Sequence, residues 1–278
     1  MDYIVNKNTA SGEEVQLSYK DYGNGRPVVL IHGWPLSKEM WEYQIEPLVE
    51  AGLRVIKYDR RGFGKSSKPW GEYNYDALAE DLNVIMEELD LRDAVLVGFS
   101  MGGGEVVRYL SRYGSSRVSK IVLVSSVTPY MLKTADNPDG VDESVFKKMM
   151  DQMNEDRIAF LDDFGKQFFG VNLVSHPVST PLLEYYRMLA SVAAPRATKQ
   201  CAIAFAATDF RSDVQAISVP TLIIHGDADK TVPIEASGER TAKMIPGSEY
   251  IVYEGAPHGL FYTHKEKLNQ DLISFCKF

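Results

Sequence analysis

Ser100, in Gly98-Phe99-Ser100-Met101-Gly102, and His258, in Gly255-Ala256-Pro257-His258-Gly259, are residues of the types that carry out acyl transfer. A serine hydroxyl becomes a useful nucleophile when an imidazole accepts its proton and a carboxylate orients that imidazole. Two carboxylates are offered by His225-Gly226-Asp227-Ala228-Asp229. One is expected to fix its loop by accepting backbone N–H groups, and the other to face the histidine. Asp229, further from the preceding apolar run, is chosen for the second task over Asp227. The developing oxyanion needs two donors. The backbone N–H groups of Met101, directly after the serine, and of Trp34, in His32-Gly33-Trp34-Pro35, are the candidates. Of the five histidines, His32 and His225 end apolar runs and are expected to hold loops, while His176 and His264 are expected at the surface.

The elements that must position these groups follow from hydrophobic patterning. Val28–Ile31, Ala94–Val97, Ile121–Val124 and Leu222–Ile224 are short and apolar throughout, as strands buried on both faces should be. Helical patterns lie between them. Ser37 could cap a helix burying Trp41, Ile45, Leu48 and Val49; Asn74 could open one burying Leu78, Leu82, Ile85, Met86 and Leu89. Repeated alternation of this kind predicts an α/β fold, a mostly parallel sheet covered by helices on both sides. Ser100 sits where a strand turns sharply into a helix, and the flanking glycines allow the close approach that such a turn demands. Taken alone, the pentapeptide could be an ordinary strand-to-helix turn.

From about Thr128 to Val214 the rhythm changes to helical periodicity, dense in phenylalanine and methionine. A helical cap at 128–214 is expected, inserted in a core formed by 1–127 and 215–278, the whole being a single catalytic domain. Phe164, Phe168 and Val232 are candidates for the wall of a substrate pocket, as is the Trp34 side chain; each could equally be core.

Composition narrows the function classes. A formal net charge of −8 with scattered basic residues argues against nucleic acid and anionic membranes as main partners. The N-terminal Met1-Asp2-Tyr3-Ile4-Val5 lacks the basic and apolar regions of a signal peptide, so a cytoplasmic location is expected. Cys201 and Cys276 are expected to be buried thiols, and no set of residues has metal-ligand spacing. Gly64-Lys65-Ser66 is not a phosphate loop, because the position needing glycine is Asp59.

Together, His32-Gly33-Trp34-Pro35, Asp59-Arg60-Arg61-Gly62-Phe63-Gly64-Lys65-Ser66, Gly98-Phe99-Ser100-Met101-Gly102-Gly103-Gly104 and Ala256-Pro257-His258-Gly259 resemble one subgroup of the α/β-hydrolases. It comprises the cofactor-free bacterial haloperoxidases (bromo- and chloroperoxidases, perhydrolases) and their arylesterase relatives. The resemblance runs from about Val15 to the C-terminus. It implies an eight-stranded sheet and no cofactor or metal; the resembling enzymes often assemble as trimers or larger, which makes a homo-oligomer possible without fixing the state of this chain. It also implies hydrolysis of small esters through an acyl-serine at Ser100, with Asp229 and His258 as partners and the Trp34 and Met101 amides as oxyanion hole. Hydrogen peroxide replacing water would give a peracid, which oxidises bromide or chloride in solution. In such relatives a proline at the position of Pro35 accompanies perhydrolysis, which makes Pro35 a further candidate contact. Two departures are Leu260, where relatives often have phenylalanine, and methionines at Met131 and Met149 in place of aromatic residues. A dehalogenase or epoxide hydrolase would need a carboxylate in place of Ser100. A lactonase or amidase of the same fold, or a non-catalytic small-ligand binder, remains the alternative at this point.

Overall fold

The computed structural model describes residues 2–277. Eight strands form one sheet in the order β1-β2-β4-β3-β5-β6-β7-β8. They are β1 (Asp2–Asn6), β2 (Val15–Tyr22), β3 (Pro27–Ile31), β4 (Arg54–Tyr58), β5 (Ala94–Phe99), β6 (Val118–Val124), β7 (Thr221–Gly226) and β8 (Glu249–Tyr253). β1 and β2 pair antiparallel, β2 joins β4 antiparallel, and all other pairs are parallel. Every residue of β5 and β7 is buried, which explains why these runs are apolar without alternation. Each such aliphatic side chain withdrawn from water contributes about 1.5–3 kcal/mol before entropic costs.

Among the described residues ten α-helices accompany the sheet: α1 (Glu42–Glu50), α2 (Tyr75–Glu88), α3 (Met101–Tyr113), α4 (Glu143–Phe168), α5 (Thr180–Ser191), α6 (Pro195–Ala207), α7 (Arg211–Gln215), α8 (Gly238–Met244), α9 (Leu260–Thr263) and α10 (Lys265–Lys277). Asn74 caps α2 by accepting the Ala77 N–H at 2.9 Å. The helix predicted after Ser37 begins instead as a 3-10 turn (Lys38–Trp41) before α1. Pro47 lies inside α1 and its ring fixes the local backbone without ending the helix.

Four helices, α4 to α7, occupy the chain between β6 and β7, and α4 packs on α5 and α6. α4 is broken at Asp156 (φ −147°, ψ 95°). The Asp156 carboxylate accepts the N–H groups of Ile158 and Ala159 at 2.9 and 3.0 Å, so it caps a second helical segment in mid-element. Cys201 and Cys276 are buried free thiols. Among the described residues no helix is long and apolar enough to cross a membrane.

The strand order fixes where a site can form. The chain winds away in both directions from the neighbours β3 and β5, and a crevice opens at the carboxyl ends of strands where such a reversal occurs. His32-Gly33-Trp34 and Ser100 leave those two strands side by side. The loops after β7 and β8 carry Asp229 and His258 to the same edge.

Candidate active site

Ser100 lies between β5 and α3 with φ +54° and ψ −118°, a conformation that a non-glycine residue adopts only under constraint. Its N–H donates to the Val124 carbonyl at 2.8 Å, which ties the turn to β6. The turn is tight enough that a Cβ on Gly98 would stand 2.5 Å from the Gly102 carbonyl oxygen. Across the crevice, a Cβ on Gly33 would meet the Phe99 ring at 2.5 Å and lie 3.2 Å from the Ser100 Cβ. Gly33 therefore lets the loop after β3 close on the serine. Trp34, the next residue, lines the same cavity as Ser100, while Met101, as the first residue of α3, offers a first-turn N–H.

The Ser100 hydroxyl and His258 Nε2 are 2.9 Å apart, and His258 Nδ1 is 2.6 Å from Asp229 Oδ2. The other carboxylate oxygen, Oδ1, accepts the N–H groups of Thr231 and Val232 at 2.9 and 2.8 Å. Burial by itself would raise the Asp229 carboxyl. The charge of His258 and the hydrogen bonds from His225 and His258 outweigh that, holding it well below the usual carboxylate range. The second aspartate, Asp227, accepts the Gly255 N–H at 2.6 Å and so braces the loop leading to His258. The imidazole itself is held between rings, with Phe99 at 5.0 Å and Phe168 at 4.8 Å between centroids.

Two further histidines serve these loops. His225 Nε2 donates to the Val232 carbonyl at 2.9 Å and lies 3.4 Å from Asp229 Oδ2. His32 donates through Nδ1 to the Gly33 carbonyl (2.9 Å), which leaves Nε2 to accept the Arg60 N–H at 3.0 Å. Arg60 also donates to the His32 carbonyl at 2.7 Å and forms a buried ion pair with Glu105 of α3. This one guanidinium thus joins the loop after β3 to the helix that begins at the nucleophile. Burial, with the Arg60 guanidinium beside the ring, holds the His32 imidazole well below the usual histidine range. His264, predicted at the surface, is half-buried, with its ring near Tyr253 and Nδ1 2.9 Å from the Thr263 hydroxyl.

A cavity of about 550 Å³ opens above Ser100. Trp34 forms part of its floor. The indole N–H donates to the Thr198 carbonyl at 2.9 Å, and the rings of Phe164 and Phe205 meet the indole edge-on at 5.2 and 5.5 Å. Phe164 and Val232 are also in the wall, as expected from sequence. Phe168 and Pro35 are not. Both border a second, much smaller cavity with Leu161, Phe169 and Tyr186. Phe168 lies one turn beyond Phe164 on α4, which carries its ring past the cavity to a near-perpendicular contact with the His258 ring. Pro35 turns away because the chain reverses there, with the Leu36 N–H donating to the Gly33 carbonyl at 3.1 Å. Unforeseen wall residues include Phe146, Phe160 and Phe205. The i, i+4 spacing of Phe160 and Phe164 was a sequence signal; Phe205 reaches the cavity only through tertiary packing of α6. Among the described residues no three His, Cys, Asp or Glu side chains are grouped as a metal site.

Comparison with known proteins agrees with this architecture. The alpha/beta hydrolase fold family matches residues 26–265. The chain is 42% identical over 263 residues to a non-heme chloroperoxidase of Kitasatospora aureofaciens, covering 94% of this chain and 96% of that protein. It is 37% identical over 280 residues to a bifunctional esterase/perhydrolase of Acinetobacter calcoaceticus, covering 100% of both. The crystal structure of a bromoperoxidase from Bacillus anthracis superposes with a TM-score of 0.95 at 46% identity, covering 100% of this chain and 99% of that one. The chain belongs to the α/β-hydrolase family, among the non-heme haloperoxidases.

Proposed function

We propose that the protein is a serine esterase and perhydrolase acting on small acyl substrates, with halide oxidation as a consequence of the peracid it releases. The carrying observation is the continuous hydrogen-bonded chain from Ser100 through His258 to Asp229. Ser100 Oγ attacks the ester carbonyl carbon while His258 Nε2 takes the hydroxyl proton. Asp229 balances the imidazolium, and the Trp34 and Met101 N–H groups receive the oxyanion. Collapse breaks the bond to the alcohol, which leaves with the proton from His258, and an acyl-serine remains. Water or hydrogen peroxide then gives its proton to His258 and attacks the acyl carbon. The products are the carboxylic acid or the peracid, with Ser100 regenerated. The peracid transfers one oxygen to bromide or chloride, yielding hypohalite and the carboxylic acid. The names of the two relatives, chloroperoxidase and esterase/perhydrolase, support both branches.

We read residues 128–214 as a cap that excludes water and selects the acyl group, since Met149, Phe160, Phe164 and Phe205 share one cavity with Ser100. A fluorophosphonate probe with p-nitrophenyl acetate tests the whole reading. Stoichiometric labelling of Ser100, turnover in the wild type and loss of both in Ser100→Ala are expected. An unlabelled, inert wild-type protein would instead indicate a small-ligand binder.

A further inference from the structure

The cavity above Ser100 changes character from floor to mouth. Ser100 and Trp34 at its base are buried, and most of the wall is aromatic or aliphatic. The polar wall residues come from two separate elements. Lys148, Gln152, Asp163 and Gln167 stand on α4, and Lys230 and Thr231 on the loop after β7. Lys148 and Lys230 are solvent-exposed, so they form the rim and not the floor. Neither lysine has an ion-pair partner among the described residues. The Asp163 carboxylate, by contrast, pairs with Lys166 at 3.1 Å, an ammonium it shares with Asp162, which is in turn 3.6 Å from Arg187. The Thr231 hydroxyl oxygen is buried and lacks a hydrogen-bond partner among the described residues, leaving a neutral donor in the same wall. The loop and the helix are held together there by the Gln167 amide, which donates to the Lys230 carbonyl at 3.2 Å.

Two uncompensated ammonium groups at the rim of an apolar cavity are unusual on a chain whose net charge is −8. Charges of one sign at a concave mouth focus the local field and raise the concentration of the opposite ion there. We infer that Lys148 and Lys230 form an anion subsite, and that the preferred acyl donor has an apolar chain ending in a negatively charged group such as a carboxylate. This rests on the esterase reading of Ser100 given above. The acyl carbonyl would lie at Ser100, the chain would cross the aromatic wall, and the charged end would reach the lysines while still partly hydrated. A partly solvated pair of this kind adds a modest preference without the desolvation cost of a buried ion.

The test compares mono-p-nitrophenyl adipate with p-nitrophenyl hexanoate, esters of equal chain length that differ by the terminal carboxylate. The readout is the ratio of their kcat/KM values in the wild type and in Lys148→Met/Lys230→Met. The ratio is expected to fall about tenfold in the double variant, roughly three- to fivefold per lysine, and to shrink in the wild type as salt is added. A ratio unchanged by both the substitutions and salt would overturn the anion subsite while leaving the esterase reading intact. A wild type that hydrolyses neither ester would overturn both.

Discussion

The two walls of the active-site crevice are built on opposite principles. At the strand ends, Ser100, His258 and Asp229 are positioned by hydrogen bonds from loops that are themselves anchored, as in the Asp227 bond to Gly255 and the Arg60 bonds to His32. In the helices between β6 and β7, the phenylalanines lining the cavity are held by ring contacts, such as the stacked Phe160 and Phe164 at 5.6 Å. Directional bonds fix reacting atoms to fractions of an ångström, whereas apolar contacts tolerate exchange of one side chain for another. We read reaction type as set at the sheet edge and substrate range as set by the helices, with Phe168 of α4, packed 4.8 Å from the His258 ring, as the contact that couples the two.

Asp229→Asn would strain that division most. It retains the shape but presents an amide to His258 Nδ1, so kcat is expected to fall by about 10⁴-fold with little change in KM. A loss under tenfold would show that the carboxylate is not the orienting group. Phe164→Ala probes the other wall. It should leave acetate esters nearly unaffected while shifting preference among longer acyl chains by about 10- to 100-fold in kcat/KM. An equal fall for every ester would mean that the ring supports the catalytic groups instead.

His32 tests whether the strand-end loops carry a stability cost at low pH. Its folded-state pKa is depressed, so below about pH 6.5 the unfolded chain binds a proton that the folded protein refuses. Stability should fall as pH drops from 7 towards 5, by up to about 1.4 kcal/mol per unit from this group. Urea unfolding of the wild type and His32→Asn over that range measures it, and identical slopes would remove the assignment. The smallest effect is expected for Pro35→Leu. Pro35 lies outside the main cavity and can act only through the adjoining Trp34 backbone. A severalfold drop in the ratio of perhydrolysis to hydrolysis is expected, and an unchanged ratio would leave Pro35 a purely structural residue.

The strand-end groups were legible in the sequence because their constraints are local. The Gly98 and Gly102 spacing marks the turn at Ser100, and the apolar runs before His32 and His225 mark strands that must end where those rings begin. The choice between Asp227 and Asp229 depended only on distance along a short loop. Pocket residues were harder to read, because facing the cavity depends on how α4 lies across the sheet. Phe160, Phe164 and Phe168 share one periodicity, yet the third turns to His258. The 3-10 start before α1 was similarly hidden, since Trp41 and Leu48 fit either helical form.

The interruption of α4 at Asp156 has a consequence for how this protein could acquire new substrates. Phe146, Lys148, Met149 and Gln152 precede the break, and Phe160, Asp163, Phe164 and Gln167 follow it. Because the Asp156 side chain restarts the helix, the outer and inner stretches of the element are not locked into one continuous rod. Each stretch therefore brings its own apolar and polar residues to the cavity, so a shift in the angle between them could reshape the space above Ser100 without unwinding either one.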